Sequence, residues 1–294
     1  MKRRRFVEMA VAAAAPFAAR AAAAADIRLG LYVSAGTEPA AALKKVQDLG
    51  LPTCQLACQD YSPEMLQLVK QAMSASPVEV TSLGSSGPGK SVYDFYQGPA
   101  TIGIVPRETR RARVDHLKKA CEFAKACGIS SIQTHFGFIP ENPNDPLYTE
   151  TVEAIREVAT HAKDNGVAIL AETGQETPVT MLRTILDAGT GNFFVNLDTA
   201  NLILYGKGNP VDALDVIGQY VRGMHAKDGL FPTDPKRLGR EVPLGEGKVD
   251  WPKLIQRLRA LNYRGAMTIE REISGPRQIE DVKKAITFLE RLLS

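Results

Sequence analysis

Eight short apolar runs, each followed by a segment of helical period, predict a single closed (β/α)8 barrel over residues 26–294. Three observations carry this. The runs are six or seven residues long and rich in Val, Ile and Leu, as strands covered on both faces are. They alternate with helix-period segments throughout, so parallel strands joined by crossover helices are expected. There are eight units and no dividing linker, which favours a closed TIM-type barrel over an open doubly wound sheet or two smaller domains.

IRLGLYV (27–33) is the first strand, with a helix over 38–49, and PTCQLAC (52–58) leads into a helix over 63–73. VEVTSL (78–83) precedes an irregular Gly/Pro/Ser-rich stretch and a helix over 107–127. SSIQTHF (130–136) is followed by a helix over 147–165, VAILAET (167–173) by one over 178–188, and FFVNLDT (193–199) by one over 211–220. VRGMHAK (221–227) enters a loop before a helix over 251–261, and GAMTIER (265–271) precedes the last helix, 277–293. The irregular stretches 84–106, 137–146 and 228–250 all follow strands, on the face where such barrels carry their chemistry.

Residues 1–25 read as a targeting segment. MKRRRFVEMAVAAAAPFAARAAAAA has a basic start, an Ala-rich middle and an Ala-x-Ala end, a signal-peptide pattern whose paired arginines point to twin-arginine export and a periplasmic location. The alternative is an Ala-rich arm on a cytoplasmic protein. The apolar part is too short to span a membrane, which takes ~20 residues. The segment holds five cations and one anion. The remaining 31 cations and 32 anions give a net charge of −1, so no nucleic-acid partner is expected. A basic run, RETRRARVDHLKK (107–119), reads as a solvated helix face. The four cysteines (54, 58, 121, 127) read as small core residues rather than a disulfide framework.

Side chains alternate along a strand. If His225 points into the barrel, so does Gly223. The same rule sends His135 inward above Gln133, Glu172 above Leu170, Asp198 above Asn196 and Glu270 above Thr268. Five ionisable groups then converge at the C-terminal ends of strands four to eight. Buried charge is expensive unless paired or bound to an ion. Glu172, Asp198, His225 and Glu270 make an O3N set for one divalent metal; Mn2+ fits best, with Mg2+, Co2+ and Zn2+ as alternatives.

With LAETGQE (170–176), NLDTANLILYG (196–206), HAKDG (225–229), PLGEGKVDWPKLIQRLRALNYRG (243–265) and TIERE (268–272) in view, the chain resembles the xylose isomerase-like barrel superfamily over about 26–292. The resemblance implies that Glu172, Asp198, His225 and Glu270 bind a metal. It also implies a carbohydrate substrate, with isomerase or epimerase chemistry through an enediolate and the two glutamates moving the proton. His135 is expected to bind substrate or to be a core histidine, Asn201 to hold a substrate hydroxyl, and Lys227 to face the substrate or pair with Asp228 or Glu246. Glu246 is expected to reach the site or only close its loop, and Asp228 to be a loop residue or to orient His225. Tyr93, Phe95 and Tyr96 form an apolar wall over a sugar or a contact in a homo-oligomer. Trp251 anchors a helix start.

Departures from the family pattern keep other activities open. Asn201 stands where ketose epimerases have a His, Pro178 where they have a second Glu, and Lys227 where they have an Arg. Glu176 is a candidate to replace the missing Glu. Loss of a leaving group from a keto-glycoside or keto-inositol begins with the same proton abstraction, so a lyase or dehydratase is the main alternative. A non-catalytic sugar-binding barrel is more remote, since neither a base nor a ligand is missing. Apurinic endonuclease chemistry is disfavoured: His116 and His161 fall on helices and are expected at the surface, and Asn201, Gly239 and Glu241 replace metal-binding residues.

Overall fold

A computed structural model describes residues 27–294; the expected targeting segment lies outside the described residues. The strands are β1 (Arg28–Ser34), β2 (Thr53–Ala57), β3 (Glu79–Gly84), β4 (Ser131–Thr134), β5 (Ala168–Glu172), β6 (Phe193–Asp198) and β7 (Val221–Ala226). A hairpin follows, β8 (Asp228–Leu230) with β9 (Arg240–Val242), and then β10 (Ala266–Ile269). All but the hairpin close into one parallel barrel, in which β10 pairs with both β7 and β1. This is the predicted fold.

The helices are α1 (Pro39–Asp48), α2 (Pro63–Ala75), α3 (Gly98–Thr101), α4 (Arg107–Cys127), α5 (Pro146–Asp164), α6 (Pro178–Ala188), α7 (Asn201–Leu204), α8 (Pro210–Ile217), α9 (Trp251–Ala260) and α10 (Pro276–Leu293). Several start on one local signal, a capping side chain followed by proline. Ser62, Asp145, Thr177 and Asn209 each accept from a first-turn amide, and each precedes a Pro that has no N–H to leave unpaired. Pro178 therefore serves as a helix start. The apolar stripe of α10, Val282, Ala285 and Leu289, has helical spacing and is buried.

Two features differ from expectation. The basic run is more than a solvated face. Arg107 and Arg110 pair with Glu150, and Arg111 and Lys118 with Glu157, tying α4 to α5. Arg113 is buried and donates to the carbonyls of Pro88, Gly103 and Lys90. His116 and His161 are half-buried rather than at the surface. The cysteines are free; three are buried and Cys127 is half-buried. Among the described residues no helix is long and apolar enough to cross a membrane.

Candidate active site

Glu172 and Asp198 are the last residues of β5 and β6, His225 lies near the end of β7, and Glu270 follows β10 directly. Register places them side by side: Asp198 is opposite His225, and His225 is opposite Thr268. One side-chain atom from each of the four lies within 4.8 Å of all the others. His225 Nδ1 is the centre. Glu172 Oε1 and Glu270 Oε2 are each 3.2 Å from it, and Asp198 Oδ2 is 3.5 Å away.

The other ring nitrogen explains this arrangement. His225 Nε2 is 2.8 Å from Gln55 Oε1 on β2, and Gln55 Nε2 donates to Asn196 Oδ1 at 2.9 Å. Because the Gln55 oxygen can only accept, Nε2 carries the proton. Nδ1 faces three carboxylates and can offer them a proton or, with an ion between, offer its lone pair to that ion. Such a set is stable only around a cation. His225 Nδ1 and Asp198 Oδ2 are buried without a hydrogen-bond partner, as atoms reserved for a metal would be. Donors about 2.1–2.3 Å from a common ion stand roughly 3.0–3.6 Å apart; the three distances from His225 Nδ1 fall in this range, and all four atoms lie within 4.8 Å of one another. The residues fit a divalent ion.

Electrostatics points the same way. Four carboxylates, Glu172, Asp198, Glu270 and Glu272, surround one buried ammonium, Lys227. Its Nζ lies 3.0 Å from Glu272, 3.2 Å from Glu270 and 3.6 Å from Asp198. Burial opposes the charge on Lys227, but Asp198 and Glu270 outweigh it and hold its pKa well above the ordinary value. Burial likewise opposes charge on Glu270, yet Lys227 and His225 bring it down to about 2. Burial would raise Glu172; His135 and His225 hold it well below the usual range. Burial would keep His225 neutral; without an ion, Glu270 and Glu172 push its pKa well above normal. With His225 neutral as a ligand, three carboxylates, Glu172, Asp198 and Glu270, face one buried ammonium, a surplus of negative charge that a divalent cation would offset.

Each carboxylate is held differently. Asp198 Oδ1 accepts from the amides of Ala200 and Asn201 at 2.8 and 2.7 Å, where α7 begins, which leaves Oδ2 for the cluster. Glu172 Oε2 accepts from Gln133, and Oε1 from Asn201 Nδ2 at 3.2 Å. His135, just past β4, brings Nε2 within 3.3 Å of the same oxygen. Glu270 uses only Oε2; its Oε1 makes no hydrogen bond among the described residues. A pocket of about 160 Å3 opens above, lined by His135, Glu172, Glu270, Glu272, Tyr93 and Tyr32. Tyr32 sets its ring edge-on to His225 at 5.1 Å.

Other expected residues lie elsewhere. Asp228 does not touch His225. Its carboxylate accepts from the amides of Gly229, Gly245 and Val249 and from Trp251 Nε1 at 2.9–3.2 Å, closing the 228–250 loop. A Cβ on Gly247 would come within 1.9 Å of Asp228 Oδ1, which is why glycine follows Glu246. Glu246 is exposed, away from the pocket lining. Gln55 takes the orienting role expected of Asp228. Asn201 and Lys227 do reach the cluster, bonded to each other at 3.3 Å. Tyr93 lines the pocket, Phe95 packs on Tyr205 and Tyr96 is exposed. Glu176 is buried outside the lining; burial pushes it up to about 8.

Gln55 and Glu272 were passed over in the sequence, yet both left a signal. Gln55 is an amide in an otherwise apolar strand, and a buried amide needs partners. Glu272 lies two residues beyond Glu270, on the same side by alternation.

A solved xylose isomerase domain protein from Planctomyces limnophilus is similar at 35% identity and TM-score 0.86, covering 91% of this chain and 98% of its own. A D-psicose 3-epimerase from Clostridium cellulolyticum H10 shares the fold at 15% identity and TM-score 0.68, over 91% and 100%. A 3-keto-D-glucoside 4-epimerase from E. coli does so at 15% and 0.67, over 90% and 99%. No curated protein matches the sequence. The family model described as xylose isomerase-like TIM barrel matches residues 43–292, and the chain belongs to that family.

Proposed function

We propose that this protein is a divalent-metal-dependent sugar isomerase or epimerase that removes a proton beside a carbonyl. The observation that carries this reading is the buried Nδ1 of His225 ringed by three carboxylates at 3.2–3.5 Å. Glu172, Asp198, His225 and Glu270 would hold the ion, and their O3N set suits Mn2+ best. When bound, a divalent ion supplies Lewis acidity that polarises a carbonyl and acidifies the adjacent C–H. The epimerase names of two structural neighbours support a keto-sugar as the substrate class.

Glu270 is the better placed base. The Lys227 ammonium, 3.2 Å away, favours its ionised form, and its free Oε1 is available to a substrate carbon. The proton taken up on Glu270 Oε1 is returned from the same oxygen at the neighbouring carbon. Return on the opposite face requires Glu172 to receive a proton from solvent first, because its ionised carboxylate starts without one. Lys227 and Asn201 supply donors for developing negative charge on the substrate oxygens. Residues 1–25 direct export to the periplasm, and passage of a folded chain lets the ion be loaded beforehand.

The test is proton NMR in D2O with free ketoses and 3-keto-glucosides, with metal-loaded and metal-stripped protein. Metal-dependent deuterium uptake at carbon with the skeleton retained is expected. Glu270→Gln should lower it by about 10^2–10^4-fold while the fold is kept. Loss of water or an aglycone would replace the isomerase reading with the lyase one. Exchange that survives Glu270→Gln would remove Glu270 as the base.

A further inference from the structure

The pocket above the carboxylate cluster has a neighbour. Tyr32, Glu270 and Glu272 also line a second, larger space of about 680 Å3 at the C-terminal ends of β1 and β10. The volumes separate the two roles. Small-molecule sites usually run from about 300 to 1,000 Å3. The inner pocket, at about 160 Å3, falls below that range, and the outer cleft falls within it. The inner space is sized for a single ring and not for two. A free monosaccharide would leave the outer cleft to solvent.

The outer walls are polar and organised. Lys45 on α1 donates to Gln278 Oε1 on α10 at 3.2 Å, and Gln278 Nε2 donates to the Arg271 carbonyl at 2.8 Å. Lys45 has no carboxylate within ion-pair distance among the described residues, so its remaining N–H donors are unclaimed. Ser34 ends β1 on the same wall. Arg271 is committed elsewhere, paired with Glu241 and Asp281, and so fixes the loop after β10. A cleft with hydroxyl and ammonium donors suits a hydroxyl-rich group.

From these two neighbouring spaces, which share the side chains of Tyr32, Glu270 and Glu272 as lining, we infer that the substrate is a keto-glycoside of disaccharide size. The keto-sugar ring occupies the inner pocket, and the second sugar occupies the cleft between β1, α1 and the loop after β10. This rests on the proposed sugar chemistry and specifies its substrate class.

The experiment compares 3-keto-glucose with 3-keto-trehalose on the full mature chain loaded with Mn2+. Deuterium exchange gives kcat/KM, and calorimetry gives binding to the metal-free protein. The disaccharide should exceed the monosaccharide at least 10-fold in kcat/KM and in affinity. Ser274→Trp, in the exposed loop lining the cleft, should cut that ratio at least 10-fold; Ser34→Trp, on the opposite wall, should do the same. Equal use of both sugars, or a ratio that neither substitution moves, would overturn the cleft assignment and leave the sugar reading standing. No exchange with either sugar, and no binding of either, would overturn both.

Discussion

Gln55 offers the sharpest test of the site. Its side chain bridges β2 to β6 and β7, accepting from His225 Nε2 at 2.8 Å and donating to Asn196 Oδ1 at 2.9 Å. Gln55→Leu keeps similar bulk and removes both bonds. Two buried polar atoms lose partners, at about 1–3 kcal/mol each, so unfolding free energy should drop by roughly 2–6 kcal/mol. The imidazole also loses what fixes its tautomer and tilt. Outer partners of metal-binding histidines are typically worth about 10–100-fold in metal affinity, or ~1.4–2.7 kcal/mol. Mn2+ titration followed by electron paramagnetic resonance measures the affinity directly, and circular dichroism checks the fold. Gln55→Glu keeps an acceptor for Nε2 and should recover part of the affinity. A folded Gln55→Leu protein that binds Mn2+ within about threefold of the parent would refute the tautomer argument, and with it the reservation of Nδ1 for a metal.

The remaining predictions concern the supports around the site. Asp228→Ala removes four buried acceptor contacts and should destabilise by on the order of 4 kcal/mol, with Mn2+ affinity changed far less than in Gln55→Leu; fluorescence of Trp251, the single Trp, follows the unfolding. Glu176 is raised from 4.5 to about 8 by burial. The folded state therefore holds a proton that the unfolded state releases between these values, and stability falls as pH rises from about 4.5 to about 8. At ~1.4 kcal/mol per pH unit this amounts to on the order of 5 kcal/mol in full. Glu176→Gln should flatten that decline, so urea midpoints at pH 5 and pH 8 should converge; an unchanged gap between them would contradict the assignment. Chelating the metal from protein held at a hundredfold excess over Kd should remove ~2.7 kcal/mol, a fall of roughly 5–10 °C in melting temperature by calorimetry.

The barrel and the converging residues were legible from one-dimensional pattern. Strand runs, helix periods and cap–proline starts repeat locally, and each is set by backbone geometry within a few residues. Alternation along a strand has a period of two, so it selects Glu172, Asp198, His225 and Glu270 without knowledge of neighbours. Direction within a loop has no such period. Asp228 and Glu246 lie in the stretch after a strand end, where a loop role and a site role could not be told apart, and the chain path leaves Asp228 the loop role. The 228–250 loop folds back as a hairpin, which turns Asp228 toward the amides of its own loop and leaves Glu246 exposed. Gln55 is separated from His225 by 170 positions, and closure of the barrel alone brings them together. By itself the sequence determined the barrel and which residues face its axis. Only the tertiary structure decided which atoms meet there, because hydrogen-bond partners across a closed barrel are set by strand register and by the return of the loops.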